Sequence, residues 1–112
     1  MGTPTDGLSR SAFLILLALA DQARHGLAII DRVDEASGGE VRLGPGTLYG
    51  TLQKLASTGL IRETATPPDP ADHDTRRRYY RLTPKGERRL KAEAVRMQSL
   101  VRAAIDGRVL GE

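Results

Sequence analysis

The chain has 112 residues, the length of one domain and too little for two independent cores. Hydrophobic residues make up 39% and cysteine is absent, so the composition is that of an ordinary folded domain, and disulfide frameworks, thiolate zinc sites and thiol catalysis are excluded. The formal charge of +3 is unevenly spread: residues 1–53 carry four basic against six acidic side chains, residues 54–112 thirteen against eight. The longest apolar run, Ala12 to Ala20, is nine residues, less than half of the roughly 20 that a membrane span needs. No small-residue cleavage pattern accompanies it, so secretion is not expected and the cytoplasm is the default location.

Residues 1–8, with Gly2, Pro4 and Gly7, read as a flexible tail. Ser9 or Ser11 is placed to cap a first helix running to about Ala23. Its stretch Phe13–Leu19 is apolar on every side, which predicts a contact beyond its own small core, most simply with a second chain. His25-Gly26 breaks the chain. A second helix follows to about Ser37, with Leu27, Ile30, Val33 and Ala36 on one face, and Gly38-Gly39 ends it. Glu40-Val41-Arg42-Leu43 is long enough only for a small strand or an extended connector. Gly44-Pro45-Gly46-Thr47 turns into a third helix that ends at Gly59, with Leu48, Leu52, Leu55 and Ala56 as its core stripe.

Leu60 to Thr66 has the composition of a strand, and Pro67 to Asp74, with three prolines and three aspartates, is a loop. Arg76 to Leu82 is the returning strand of a β-hairpin. Thr83-Pro84, a cap followed by proline at the first helical position, opens a last helix that reaches about Asp106, with residues 107–112 as a tail. Leu90, Ala94, Met97, Val101 and Ala104 recur in that helix at the 3.5-residue repeat of a coiled-coil seam. Its roughly 22 residues make a rod on the order of 33 Å, too long for three short helices to cover. Phe13, Leu16 and Leu17 of the first helix and the seam of the last are therefore the expected dimerisation surface.

The order helix, helix, short strand, helix, strand, loop, strand, helix is that of a winged helix-turn-helix domain over residues 9–82 with a dimerisation helix over 83–106. The fold class is mainly α with a small β-hairpin wing. In that arrangement the third helix enters the major groove and the hairpin reaches the flanking backbone. The core stripe leaves Gly46, Thr47, Gly50, Gln53, Lys54 and Ser57 facing outward, small or hydrogen-bonding residues with one cation and no carboxylate. A glycine inside a helix costs about 0.5–1 kcal/mol relative to alanine, which makes sense of Gly50 if DNA must come close. Tyr49 sits at the edge of the stripe, and Thr47 is placed either to cap the helix or to donate to a phosphate. Arg76 to Lys91 holds eight basic residues and one acid, the footprint of a polyanion partner or of a solvated basic face. On a strand, Arg77 faces opposite to Arg76 and Arg78. Tyr79 and Tyr80 read as sheet and core residues.

Taken together, Gly46-Thr47-Leu48-Tyr49-Gly50-Thr51-Leu52, Leu55, Gly59-Leu60-Ile61 and Arg76 to Gly86 (R-R-R-Y-Y-R-L-T-P-K-G) resemble the PadR family of transcriptional regulators. His25-Gly26 fits the family's opening of the second helix, and the single terminal helix resembles its short subfamily. The resemblance implies a homodimeric repressor that binds a pseudo-palindromic operator in double-stranded DNA and is released by a small-molecule effector near the dimer interface. It implies DNA contacts from Gly46, Thr47, Tyr49, Gly50, Thr51, Gln53, Lys54, Arg76, Arg77 and Arg78. Some members sandwich a flat ligand with an interfacial tryptophan; this chain has no Trp and a single Phe. It also departs at the wing tip, where Asp69, Asp72 and Asp74 are acidic and Thr75 stands at a common glycine position.

Other classes fare worse. Asp72-His73-Asp74 is the one cluster of ligand-type residues, and three neighbours on a proline-rich loop make no preorganised catalytic or metal site. Gly44-Pro45-Gly46 lacks the Gly-Lys-Ser/Thr of a phosphate-binding loop. No enzyme, metal or cofactor is expected. A winged-helix module that binds an acidic protein is the alternative, and the carboxylate-free face of the third helix favours DNA over it.

Overall fold

The computed structural model describes residues 8–65 and 77–111. Its elements are α1 Arg10–Ala18, β1 Arg24–His25, α2 Gly26–Ala36, α3 Pro45–Ser57, β2 Ile61–Thr64, β3 Tyr79–Leu82 and α4 Pro84–Asp106. Of the expected tail over residues 1–8, residues 1–7 lie outside the described residues, as does the expected loop over 67–74, while Leu8 is partly buried against the core instead of loose.

Local signals start and stop most helices as expected. Ser9 Oγ accepts the Ala12 N–H at 3.1 Å, and Thr83 Oγ1 accepts the Gly86 N–H at 3.0 Å ahead of Pro84. At the end of α3 the Leu60 N–H reaches back to the Leu55 carbonyl at 2.9 Å, with Gly59 at φ +79° making the reversal. The third helix differs at its start: Gly44 is the cap residue without a side-chain bond, so Thr47 lies inside the helix and caps nothing.

Three expectations are corrected. α1 stops at Ala18, not near Ala23, and Arg24 Nε donates to the Ala18 carbonyl at 2.7 Å while its Nη2 holds Asp21. That arginine draws Asp21 below the usual carboxylate range through its hydrogen bond and feeds the chain into a strand. Second, the short strand is Arg24–His25, and residues 40–43 form none. The sheet is antiparallel in the order β1-β3-β2, with His25 opposite Tyr79, and Ile61 opposite Leu82. Third, α2 buries Ile29, Ile30 and Val33, while Leu27 and Ala36 are exposed.

α1 packs against α2, α3 and α4 of its own chain, leaving Leu17 exposed and Phe13 half-buried. Ile15 and Leu16 are completely buried, and Leu14, Ala18 and Leu19 nearly so. Leu48, Leu52 and Leu55 join this core from α3, and Tyr80 and Leu82 from the sheet; Ala56, at the edge of the expected stripe, is exposed. Among the described residues, no helix is long and apolar enough to cross a membrane.

Candidate nucleic-acid interface

Burying Leu48, Leu52 and Leu55 turns the opposite face of α3 to solvent. Gly46, Thr47, Tyr49, Gly50, Gln53, Lys54 and Ser57 are all exposed, and Thr51 is half-buried. The face carries one cation, no carboxylate and a phenol half open to water. A Cβ at Gly50 would meet nothing within 4 Å, so the chain itself gives no steric reason for that glycine.

Arg77 and Arg78 are exposed but precede β3 and are not part of it, so strand alternation does not set their directions. Arg76 lies outside the described residues. Arg78 Nε is 3.7 Å from Glu63 Oε2, an exposed pair of little energetic weight. Arg77 Nη1 is 3.2 Å from His25 Nε2. Together with Gly26, Leu27 and Tyr49 these groups enclose a cleft of about 410 Å³. A second cleft, about 380 Å³, runs from Tyr49 and Gln53 to Glu63, Arg78 and Tyr80. The outer face of α3 and the root of the wing are thus one continuous surface. Tyr79 and Tyr80 are buried, as expected, and burial raises the Tyr80 phenol above its ordinary value.

The basic stretch does not form a single patch. Lys85 Nζ donates to the Thr58 carbonyl at 2.9 Å and so closes the end of α3, while Arg89 binds Glu93 on α4. The register adds a pair that sequence reasoning missed: Arg62 and Arg81 face one another across β2 and β3, both exposed. Like charges directly opposite are unfavourable unless an anion lies near. Counting back along the two strands from Ile61 and Leu82 would have revealed the pair.

The expected dimerisation residues separate into two groups. Leu16 is fully buried and Leu90 nearly so, both within the chain's own core, so these two are corrected to core positions. Leu17, Ala94 and Val101 are exposed, and Phe13, Met97 and Ala104 partly so. Val95 and Leu100, outside the expected seam, are exposed as well. The distal half of α4 therefore carries an apolar strip that its own chain leaves uncovered. At its proximal end Glu93 is buried yet ionised: Arg96 at 2.6 Å and Arg89 at 3.0 Å hold its carboxyl below the ordinary glutamate range.

Comparison with known proteins places this geometry. The model of the transcriptional regulator PadR-like family matches residues 15–92. An uncharacterized 37.1 kDa protein in transposon TN4556 of Streptomyces fradiae is 41% identical over 96 residues; the match takes in 86% of this chain, which spans about a quarter (24%) of that protein. Among solved structures, a PadR family transcription regulator of Clostridium difficile superposes with a TM-score of 0.69 at 23% identity, over 89% of this chain and 98% of that one. Bacillus subtilis PadR, solved in complex with operator DNA, gives 0.60 at 23% identity, over 75% of this chain and 46% of its own. Both structural likenesses speak to fold.

Proposed function

The chain belongs to the PadR-like family of transcriptional regulators, a family of regulators and not of enzymes, and on that premise we propose that it is a sequence-specific DNA-binding repressor acting as a cytoplasmic homodimer. The observation that carries the reading is the carboxylate-free exposed face of α3 lying beside Arg77 and Arg78. A surface of that kind approaches a phosphate-lined groove without repulsion, and the solved complex of Bacillus subtilis PadR with operator DNA agrees with it. Residues 9–82 read the DNA: Gly46, Thr47, Tyr49, Gly50, Thr51, Gln53 and Lys54 face the major groove, while Arg76, Arg77 and Arg78 neutralise flanking phosphates.

Residues 83–106 join two copies through Met97, Val101 and Ala104, with Ala94, Phe13 and Leu17 alongside. Twofold pairing presents two α3 helices to successive turns of a pseudo-palindromic operator. A small-molecule effector bound at that interface releases the DNA. Leu17 borders a groove of about 600 Å³ between α1 and α2, lined by Ala18, Ala20, Ala36 and the charged Asp21, Arg32 and Glu35, a setting that suits an effector with an apolar body and a polar end.

Selection of bound fragments from a random duplex pool, followed by titration over a range of salt, tests the reading. The expected result is a defined sequence and a steep salt dependence, flattened by roughly two phosphate contacts when Arg77 and Arg78 are both replaced by Ala. Binding to an acidic protein but to no duplex would overturn it.

A further inference from the structure

We infer that Glu63 is a specificity-determining residue, an anion that competes with DNA for Arg78 and yields it only to a phosphate that a seated α3 brings within hydrogen-bond reach. The inference rests on the DNA-binding reading above, and Glu63 is not among the residues that sequence reasoning assigned to DNA.

The strand register sets the direction of this side chain. Glu63 lies opposite Tyr80 in the antiparallel pair of β2 and β3, and directly opposed residues leave a sheet on the same face. Ile61, two positions earlier, and Tyr80 belong to the buried core with the leucines of α3. Glu63 is therefore turned toward α3, and Arg62 toward the other face. It lines the cleft of about 380 Å³ that holds Tyr49 and Gln53 of α3 together with Arg78 and Tyr80. Among the described residues that line this cleft and the one beside it, Glu63 is the one carboxylate. An anion so placed lowers affinity for every duplex.

Its pairing with Arg78 gives that cost a use. Arg78 Nε stands 3.7 Å from Glu63 Oε2, both side chains more than half exposed, so the pair is loose and easily exchanged. Burial first, then the Glu63 carboxylate, raise the Tyr80 phenol while Arg78 lowers it, which sets all three groups in one electrostatic neighbourhood. Seen from a Debye length away, paired opposite charges nearly cancel, and Arg78 adds little to the long-range attraction of DNA. At contact the balance reverses, because a phosphate in hydrogen-bond geometry with a guanidinium outcompetes a loose carboxylate. Arg78 shares its cleft with Tyr49 and Gln53, so a phosphate comes that close when α3 sits fully in its groove. A competing anion of this kind weakens loose complexes more than the seated one, and specificity is that difference.

Glu63→Gln keeps the size of the side chain and removes its charge. The full chain, this variant, Arg78→Ala and the double variant are titrated at fixed ionic strength against random-sequence duplex and against a duplex selected from a random pool. Glu63→Gln is expected to bind random duplex about fivefold more tightly, with a salt slope steeper by roughly one phosphate contact. On the selected duplex the change is expected to stay below about twofold, because Arg78 has already left Glu63 there. In the Arg78→Ala background Glu63→Gln is expected to leave random-duplex affinity unchanged. Equal random-duplex affinity for wild type and Glu63→Gln overturns the assignment, as does an equal gain on both duplexes. A gain that persists without Arg78 is repulsion by the carboxylate alone and overturns it too. Nitrogen NMR of the Arg78 Nε–H, identified by its loss in Arg78→Lys, gives a second measure that needs no Glu63 variant. The signal is expected to move with selected duplex and to stay near its free position with random duplex; equal movement with both overturns the assignment. Duplex bound by none of the proteins brings down the DNA reading itself, whereas random duplex bound equally by wild type and Glu63→Gln brings down the Glu63 assignment alone.

Discussion

The phenol oxygen of Tyr49 occupies the space that a Cβ on Gly26 would need, so the first turn of α2 and the exposed face of α3 fit together only because residue 26 has no side chain. A similar approach joins Gly86 at the start of α4 to the Leu60 carbonyl. What differs is the obstacle. At Gly26 it is the far end of a half-exposed side chain that can swing away; at Gly86 it is backbone, held by the Thr83 N–H bond to Leu60 at 3.1 Å and the Thr83 hydroxyl bond to Gly59 at 2.6 Å.

Gly86→Ala is therefore expected to cost about 3 kcal/mol or more, and Gly26→Ala about 1 kcal/mol, since overpacking is costly in proportion to how little the neighbours can give. Gly26→Ala is expected to weaken duplex binding beyond its effect on stability, because the displaced Tyr49 belongs to the reading face. Chemical denaturation alongside a binding titration checks both; equal stability losses for the two variants would show that the backbone obstacle at Gly86 yields as readily as the phenol.

Lys54 stands exposed in the last turn of α3. Replacing it with Glu removes a cation and places a carboxylate against phosphates. Duplex affinity is expected to fall tenfold or more, while the melting temperature shifts by no more than a few degrees, as an exposed substitution does. Unchanged affinity would take Lys54 out of the interface.

Val101 is half open to water on the distal part of α4. Asp at this position leaves the chain's own core untouched and places a charge in the proposed subunit contact. Sedimentation is expected to show dimer for the wild type and monomer for Val101→Asp, with much weaker operator binding because two linked half-sites become one. A variant that sediments as a dimer would place the contact elsewhere.

Glu93 sets a pH dependence of definite sign. Arg96 first, then Arg89, hold its carboxyl below the ordinary value of 4.5. The unfolded chain consequently takes up this proton before the folded one does. The stabilisation is complete above pH 4.5 and is lost as pH falls through the lower folded value. Thermal unfolding of the wild type and Glu93→Gln is expected to differ most near neutral pH and to converge in acid. Two curves that stay parallel would mean that the arginines do not favour the ionised form.

Most helix starts, the outward set on α3 and the burial of the β3 tyrosines could be read from the chain because their causes are local. A serine or threonine stands at the N-cap of α1 and of α4 and accepts a helix N–H there, and a leucine every third or fourth residue decides which side of α3 faces water. Other features had no local cause. Leu16 and Leu17 are adjacent and chemically identical, yet one is fully buried and the other 40% exposed; only the positions of α2, α3 and α4 distinguish them. The end of α1 and the strand at Arg24–His25 depend on β3, more than fifty residues further on. The same long-range pairing brings His25 to Arg77. Periodicity and capping depend on neighbours a few positions away and are legible in sequence, whereas strand pairing and the meeting of His25 and Arg77 in one cleft arise when distant segments share a surface, and that is decided by the packing of the whole chain.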